Sequence, residues 1–202
     1  MSGTRIDCFP TSIWHFDLPN APVMNQQLIA AIKAEQATDQ VGLRDRSSVI
    51  GWHSHDRLTQ NPNFKEFLDI TGKNVVEIAR FAKWDLDRLT MVISNCWALV
   101  NPKYATNVVH DHPNCVLSGV YYVQATENSG DLFFIDPRQA VRMNPIPVTE
   151  YNQWTQGKLV YKPIVGRMVI FPSWLLHGVG ANLADAERIS ISFNVKVALK
   201  QA

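Results

Sequence analysis

"RISISFNVKV", Arg188 to Val197, decides the fold because it alternates along its whole length. Ile189, Ile191, Phe193, Val195 and Val197 fall on one side of an extended chain, and Arg188, Ser190, Ser192, Asn194 and Lys196 fall on the other. Apolar residues at every second position make the segment a β-strand with one apolar face. By composition the polar face turns to water, the usual place of charged side chains. The other reading has the apolar face packed under helices and the polar face lining a ligand-holding barrel interior.

Working back from this strand, "RLTMVISNCWALVN", "CVLSGVYYVQ", "DLFFID", "KLVYKPI", "GRMVIFP" and "WLLHGVG" have the same character. They are short, rich in β-branched and aromatic residues, and separated by Pro, Gly, Asn and Asp. Together they predict about seven or eight strands after Asp87. Before it the period is helical. Asn20 is a candidate N-cap with Pro22 just inside, and Met24, Leu28, Ala31 and Ile32 recur on one face. A second helix opens at Asn61-Pro62, with Phe64, Phe67, Leu68, Thr71, Val75, Ile78 and Ala82 forming one stripe to about Trp84 and a weak point at Gly72. "QVGLRDRSSVIGWHSHDRL" lies between them, polar and turn-rich, and is expected to be a loop over the core. Helices first and strands afterward predict an α+β, mainly β chain of one domain. Residues 1–88 are expected to form a mostly helical and loop cover, and 89–202 a sandwich or jelly-roll core with the helices on one outer face.

With 46% apolar residues and a formal net charge of +1, the chain is neither disordered nor basic enough for a non-specific nucleic-acid binder. The expected partner is a small molecule or another protein. No stretch approaches the roughly 18 apolar residues of a membrane span, and Met1 to Phe16 lacks the basic-then-apolar layout of a secretory signal. A soluble, cytoplasmic protein is expected. Cys8, Cys96 and Cys115 are far apart with no CxxC pair, so they are expected to be reduced thiols. An exposed sheet edge would suit a homodimer.

Of six histidines, four form two HxH pairs. Residues two apart in an extended chain point the same way and can offer two imidazoles to one ion. His53 and His55 lie in the polar loop, where solvation is the expectation, and the isolated His15 has no assigned role. His110 and His112 directly precede a strong strand and lie upstream of a third histidine, His177, in another. A rigid sheet positions ligands better than a loop, but spacing alone leaves a metal site and an ordinary turn both open.

"HDHPNCVLSGVYYV", "SGDLFFIDPR", "GRMVIFPSWLLHGVGAN" and "RISISFN", in this order over about Ser94 to Val197, resemble the Fe(II)- and 2-oxoglutarate-dependent oxygenase superfamily. The likeness is to its small bacterial and phage branch. The resemblance implies a double-stranded β-helix, or jelly roll, with Fe(II) as cofactor and 2-oxoglutarate as co-substrate. It also implies hydroxylation of a small-molecule or peptidyl substrate, with release of succinate and CO2. Position by position, His110 matches the first metal ligand and His177 the distal histidine. Arg188 matches the residue that binds the far carboxylate of 2-oxoglutarate, and Ser190 matches its partner in an RxS motif. Tyr122 resembles the tyrosine that prolyl hydroxylases direct at that carboxylate. Ser118 shares its face, while Tyr121 on the opposite face is expected to pack in the core.

The departure is at the second ligand, where His112 stands in place of the usual carboxylate. Asp111 would face the opposite way in an extended chain, so His110, His112 and His177 are favoured. A sharp turn before Pro113 would instead bring Asp111 to the metal. Three neutral histidines also occur in cupin dioxygenases that need no co-substrate, and a jelly-roll binding protein without catalysis stays open as a third class. Trp52, Trp97 and Trp154 are expected to pack under loops, with Trp174 the candidate for a substrate cleft. Asn95 and Asn107 are candidate substrate contacts. Arg138 points at the pocket mouth or pairs with Asp136. No loop spells a substrate class.

Overall fold

The alternating strand sits inside a six-stranded antiparallel sheet. In the computed structural model, which describes residues 3–44, 46–139, 143 and 146–200, the elements run β1 (Trp14–Asp17), α1 (Ala21–Thr38), β2 (Trp52–His53), α2 (Lys65–Phe81), β3 (Leu89–Asn101), β4 (Asn107–His110) and β5 (Leu117–Gln124). They continue with β6 (Leu132–Ile135), β7 (Lys158–Tyr161), β8 (Arg167–Pro172), β9 (His177–Val179) and β10 (Arg188–Leu199). The larger sheet has the order β1-β8-β5-β10-β3-β2 and the smaller β4-β9-β6-β7. After β2, strands consecutive in the chain alternate between the two sheets, except that β6 and β7 both lie in the smaller one, which makes the core a double-stranded β-helix.

The larger sheet has two covered faces. On the outer one, Ile191, Phe193, Val195, Tyr121 and Ile170 pack with Met24, Leu28 and Ile32 of α1 and Phe67, Val75 and Ile78 of α2. Phe193 lies directly across from Gly119 of β5, and a Cβ on that glycine would come within 2.3 Å of the ring. On the inner face, Tyr122, Val169 and Phe171 meet Leu132 and Phe134 of the smaller sheet. Burying each such side chain is worth roughly 1.5–3 kcal/mol, so the outer core carries most of the stability and the inner space is left to function.

This arrangement corrects several expectations. Most of the polar face of β10 does not turn to water: Arg188, Ser190 and Asn194 are buried because the smaller sheet covers that side, and Lys196 beyond them is exposed. Within the mostly helical and loop cover, β1 pairs with β8 and β2 with β3. β4, which ends in His110, is a strand too short and too close to a turn to show a period. The second helix ends at Phe81, so Ala82 is exposed outside the stripe. α1 begins at Ala21 after Asn20, with Pro22 in its first turn as expected. Among the described residues no helix is long and apolar enough to cross a membrane. All three cysteines are free.

Candidate active site

β4 and β9 are antiparallel neighbours, and their register sets His110 directly opposite His177. The two rings lie 4.3 Å apart between centroids. His112 is two residues past the end of β4, where its backbone N–H donates to the Ser173 carbonyl at 3.0 Å. That bond turns the chain back so that its ring comes 5.0 Å from His110 and 5.2 Å from His177. One nitrogen from each of the three rings lies within 4.8 Å of the others.

Ring orientation follows from the other nitrogen. His110 Nδ1 lies 2.7 Å from the Val108 carbonyl and His177 Nδ1 lies 2.8 Å from the Leu175 carbonyl. A carbonyl only accepts, so each Nδ1 carries the proton and each Nε2 keeps its lone pair. Burial first, and repulsion from a protonated His110 second, push the His112 imidazole down to about 4 and that of His177 down to about 3. Burial lowers His110 as well. All three are therefore neutral near pH 7, the form in which imidazole binds a metal. A cluster of neutral imidazoles suits Fe, Zn, Cu or Ni rather than Mg or Ca, so the donor set fits Fe(II). Asp111 is exposed and outside the cluster.

The histidines open onto a cavity of about 50 Å³ whose other walls include Trp97, Asn107, Tyr122, Phe171, Arg188 and Ser190. Arg188 is 2% exposed, and its Nη1 donates to the Ser129 and Gly130 carbonyls at 3.0 and 3.1 Å. Gly130 has φ +90, and a Cβ there would stand 2.9 Å from that same nitrogen. Glycine is what lets the guanidinium lie so close to the backbone. Among the described residues no carboxylate pairs with Arg188, although a buried charge without a counter-charge is costly. Burial lowers its pKa from the usual value, yet guanidinium stays a cation. The cavity is thus electrostatically incomplete in a way that a dianion such as 2-oxoglutarate would complete. Burial raises the Tyr122 phenol, so it remains a neutral hydroxyl.

Other candidates fall elsewhere. Ser118 is not on the cavity wall; its hydroxyl lies 2.9 Å from Ser173 Oγ and 2.7 Å from Asn194 Oδ1. Tyr121 is core, its hydroxyl donating to Asn25. Trp97, expected under a loop, instead lines the cavity and tilts onto His112 at 5.9 Å. Trp174 is exposed, Trp154 lies under the Arg5 guanidinium, and Trp52 is buried with its indole N–H on the Asp39 carbonyl. Arg138 pairs with Asp136. Asn107 borders the cavity, whereas Asn95 does not. His53 is buried on β2 and stacked on Trp97, not solvated, because β2 closes over that ring; His55 is exposed beside Asp39. Asn194 carried no assignment, although its place on the polar face of β10 was the signal that could have found it.

The chain matches the model of the family described as "Putative 2OG-Fe(II) oxygenase" over residues 95–194. No curated protein sequence matches it. Among solved structures, it is similar to a prolyl-4-hydroxylase of Pseudomonas putida, at 16% identity and TM-score 0.63, with 92% of each chain covered. It is also similar to the viral collagen prolyl hydroxylase of Paramecium Bursaria Chlorella virus-1 in complex with 2-oxoglutarate, at 15% identity and TM-score 0.58, covering 91% of this chain and 94% of that one. A third is HygX of Streptomyces hygroscopicus with nickel and 2-oxoglutarate bound, at 9% identity and TM-score 0.61, covering 92% and 83%. At such identities the likeness speaks for the fold, and the family match speaks for the chemistry. The matched stretch runs from β3 into β10 and contains the three converging imidazoles and the buried guanidinium, so that by fold and sequence together the chain belongs to the 2OG-Fe(II) oxygenases, non-haem enzymes that use Fe(II) and 2-oxoglutarate.

Proposed function

We propose that His110, His112 and His177 hold Fe(II), that Arg188 with Ser190 and Tyr122 takes the far carboxylate of 2-oxoglutarate, and that the enzyme hydroxylates a small-molecule or peptidyl substrate. One observation carries the reading: convergent neutral imidazoles and a buried guanidinium without a counter-charge line the same cavity. When bound, the iron and 2-oxoglutarate supply the oxidising chemistry, in which O2 is consumed, 2-oxoglutarate is cleaved to succinate and CO2, and a substrate C–H bond gains oxygen.

The work of the chain is binding and positioning. His110, His112 and His177 would supply three ligands to the ion and leave its remaining positions to co-ligands. Without a carboxylate among them the site keeps one more positive charge than the common two-histidine set, which strengthens its attraction for an anionic co-ligand. The planar fork of Arg188 matches a carboxylate, and its two backbone carbonyl contacts hold the fork still. The Tyr122 hydroxyl, kept neutral, is a hydrogen-bond donor to the same group. Phe171 and Trp97 limit water beside the imidazoles. The three free thiols suit a reducing compartment, and we place the enzyme in the cytoplasm.

The test is an anaerobic titration with Fe(II) and then 2-oxoglutarate, followed by visible absorption, with succinate measured after O2 is admitted. Stoichiometric iron, a new charge-transfer band on adding 2-oxoglutarate, and succinate are expected. Iron binding that ignores 2-oxoglutarate would point to cupin-type chemistry, and no metal binding would point to a binding module.

A further inference from the structure

Three polar side chains in the matched stretch, Ser173, Ser118 and Asn194, are buried away from water at 0, 1 and 4% exposure, and the binding of iron and co-substrate uses none of them. They form one hydrogen-bonded chain. Ser173 Oγ lies 2.9 Å from Ser118 Oγ, Ser118 Oγ lies 2.7 Å from Asn194 Oδ1, and Asn194 Nδ2 lies 3.5 Å from His112 Nδ1. Ser118 and Asn194 face each other across β5 and β10, and the β10–β3 register slips immediately after Asn194. Such an irregularity re-aims a side chain beside a site.

We propose that Asn194 is the positioning residue for His112, accepting its Nδ1 proton when the ring binds metal; this rests on the assignment of His112 as a ligand. His110 and His177 each turn Nδ1 to a backbone carbonyl, whereas His112 has the Asn194 amide in that place. An imidazole that binds through Nε2 must carry its proton on Nδ1, and that proton needs an acceptor. The two ends of a carboxamide have the same shape, so the chain can run in either direction. With metal bound it runs from His112 Nδ1–H to Asn194 Oδ1, from Asn194 Nδ2–H to Ser118 Oγ, and from Ser118 to Ser173. Each of the three contacts then has one donor and one acceptor. The Ser173 carbonyl, meanwhile, holds the His112 backbone. Trp97 holds one side of the ring.

Co(II) titrations, read by visible absorption and by affinity, test this on the native chain, H112A, N194L, N194D and S118A, with thermal melting as a check on folding. N194L should bind Co(II) about 10- to 100-fold more weakly, the usual effect of removing such a partner, with a changed spectrum. N194D should keep or tighten binding, since a carboxylate oxygen accepts the same proton, and S118A should show a smaller loss. Native affinity in N194L, or an equal loss in N194D and N194L, overturns the proposal, because the amide would then be idle or acting as the donor. Native affinity and spectrum in H112A would instead remove His112 as a ligand. The N194D comparison decides the matter even if N194L folds poorly.

Discussion

The chain contains the same pattern twice, at His53-Ser54-His55 and at His110-Asp111-His112, and only the second becomes part of a cluster. At the first, β2 ends at His53, whose ring stacks on Trp97 with planes 7° apart, and the chain beyond the strand leaves His55 outside near Asp39. At the second, the strand ends at His110 and a turn tied to the Ser173 carbonyl brings His112 to the same side. The greater difference is a third donor. β2 borders only β3, whereas β4 borders β9, which delivers His177 in register. An HxH pair therefore offers metal chemistry when strand pairing supplies a partner, and otherwise it is two histidines with separate lives.

The largest expected effect that would break this comparison is that of His177→Ala. Removing the donor from the second strand should abolish stoichiometric Fe(II) or Co(II) binding in equilibrium dialysis, beyond the roughly 10- to 100-fold loss a supporting residue is worth. Undiminished binding would mean that the HxH pair suffices alone. Next comes Arg188→Leu, which should keep iron and lose about 2–5 kcal/mol of 2-oxoglutarate affinity by calorimetry, the usual cost of removing one partner of a buried charge pair.

A pH series on metal-free protein sharpens the contrast. The His112 and His177 pKa values are depressed on folding, so between those values and the unfolded value near 6.5 the unfolded chain binds more protons. Stability should be highest above about pH 6.5 and fall as pH drops toward 4, by roughly 1.4 kcal/mol per pH unit for each imidazole involved. In the H112A, H177A double variant the slope should shrink, as read from melting temperature. A slope unchanged in that variant would assign it to other groups. The smallest effects belong to the first pair. His53→Phe should cost about 1–3 kcal/mol through its lost bond to the Ser54 carbonyl and leave metal affinity unchanged. His55→Ala should alter stability by less than about 0.5 kcal/mol.

How much of this was legible in the sequence varies with the range of the interaction that decides it. The two long helices and the β-rich second half follow from local period, and the order of the four motifs carried the family. β1, β2 and β4 are too short to show a period, and they are strands because a neighbour offers them a hydrogen-bonding edge. Trp97 looks like any buried tryptophan until β3 and β10 pair and turn it toward the histidines. The alternation of β10 shows which face Asn194 is on but not its partners, which come from β5 and the turn after β4.

Arg188 to Val197 marks the boundary between the two kinds of information. The sequence alone determined that the segment is a strand and which side chains share each face, because the pleat sends successive side chains to opposite sides whatever surrounds them. Which face is inside was decided only when the smaller sheet folded over the polar side and the helices over the apolar side. Local geometry sorts residues into sets of neighbours, but burial depends on what another part of the chain places against them. For the same reason a charge that composition assigns to water became part of the wall of an interior cavity.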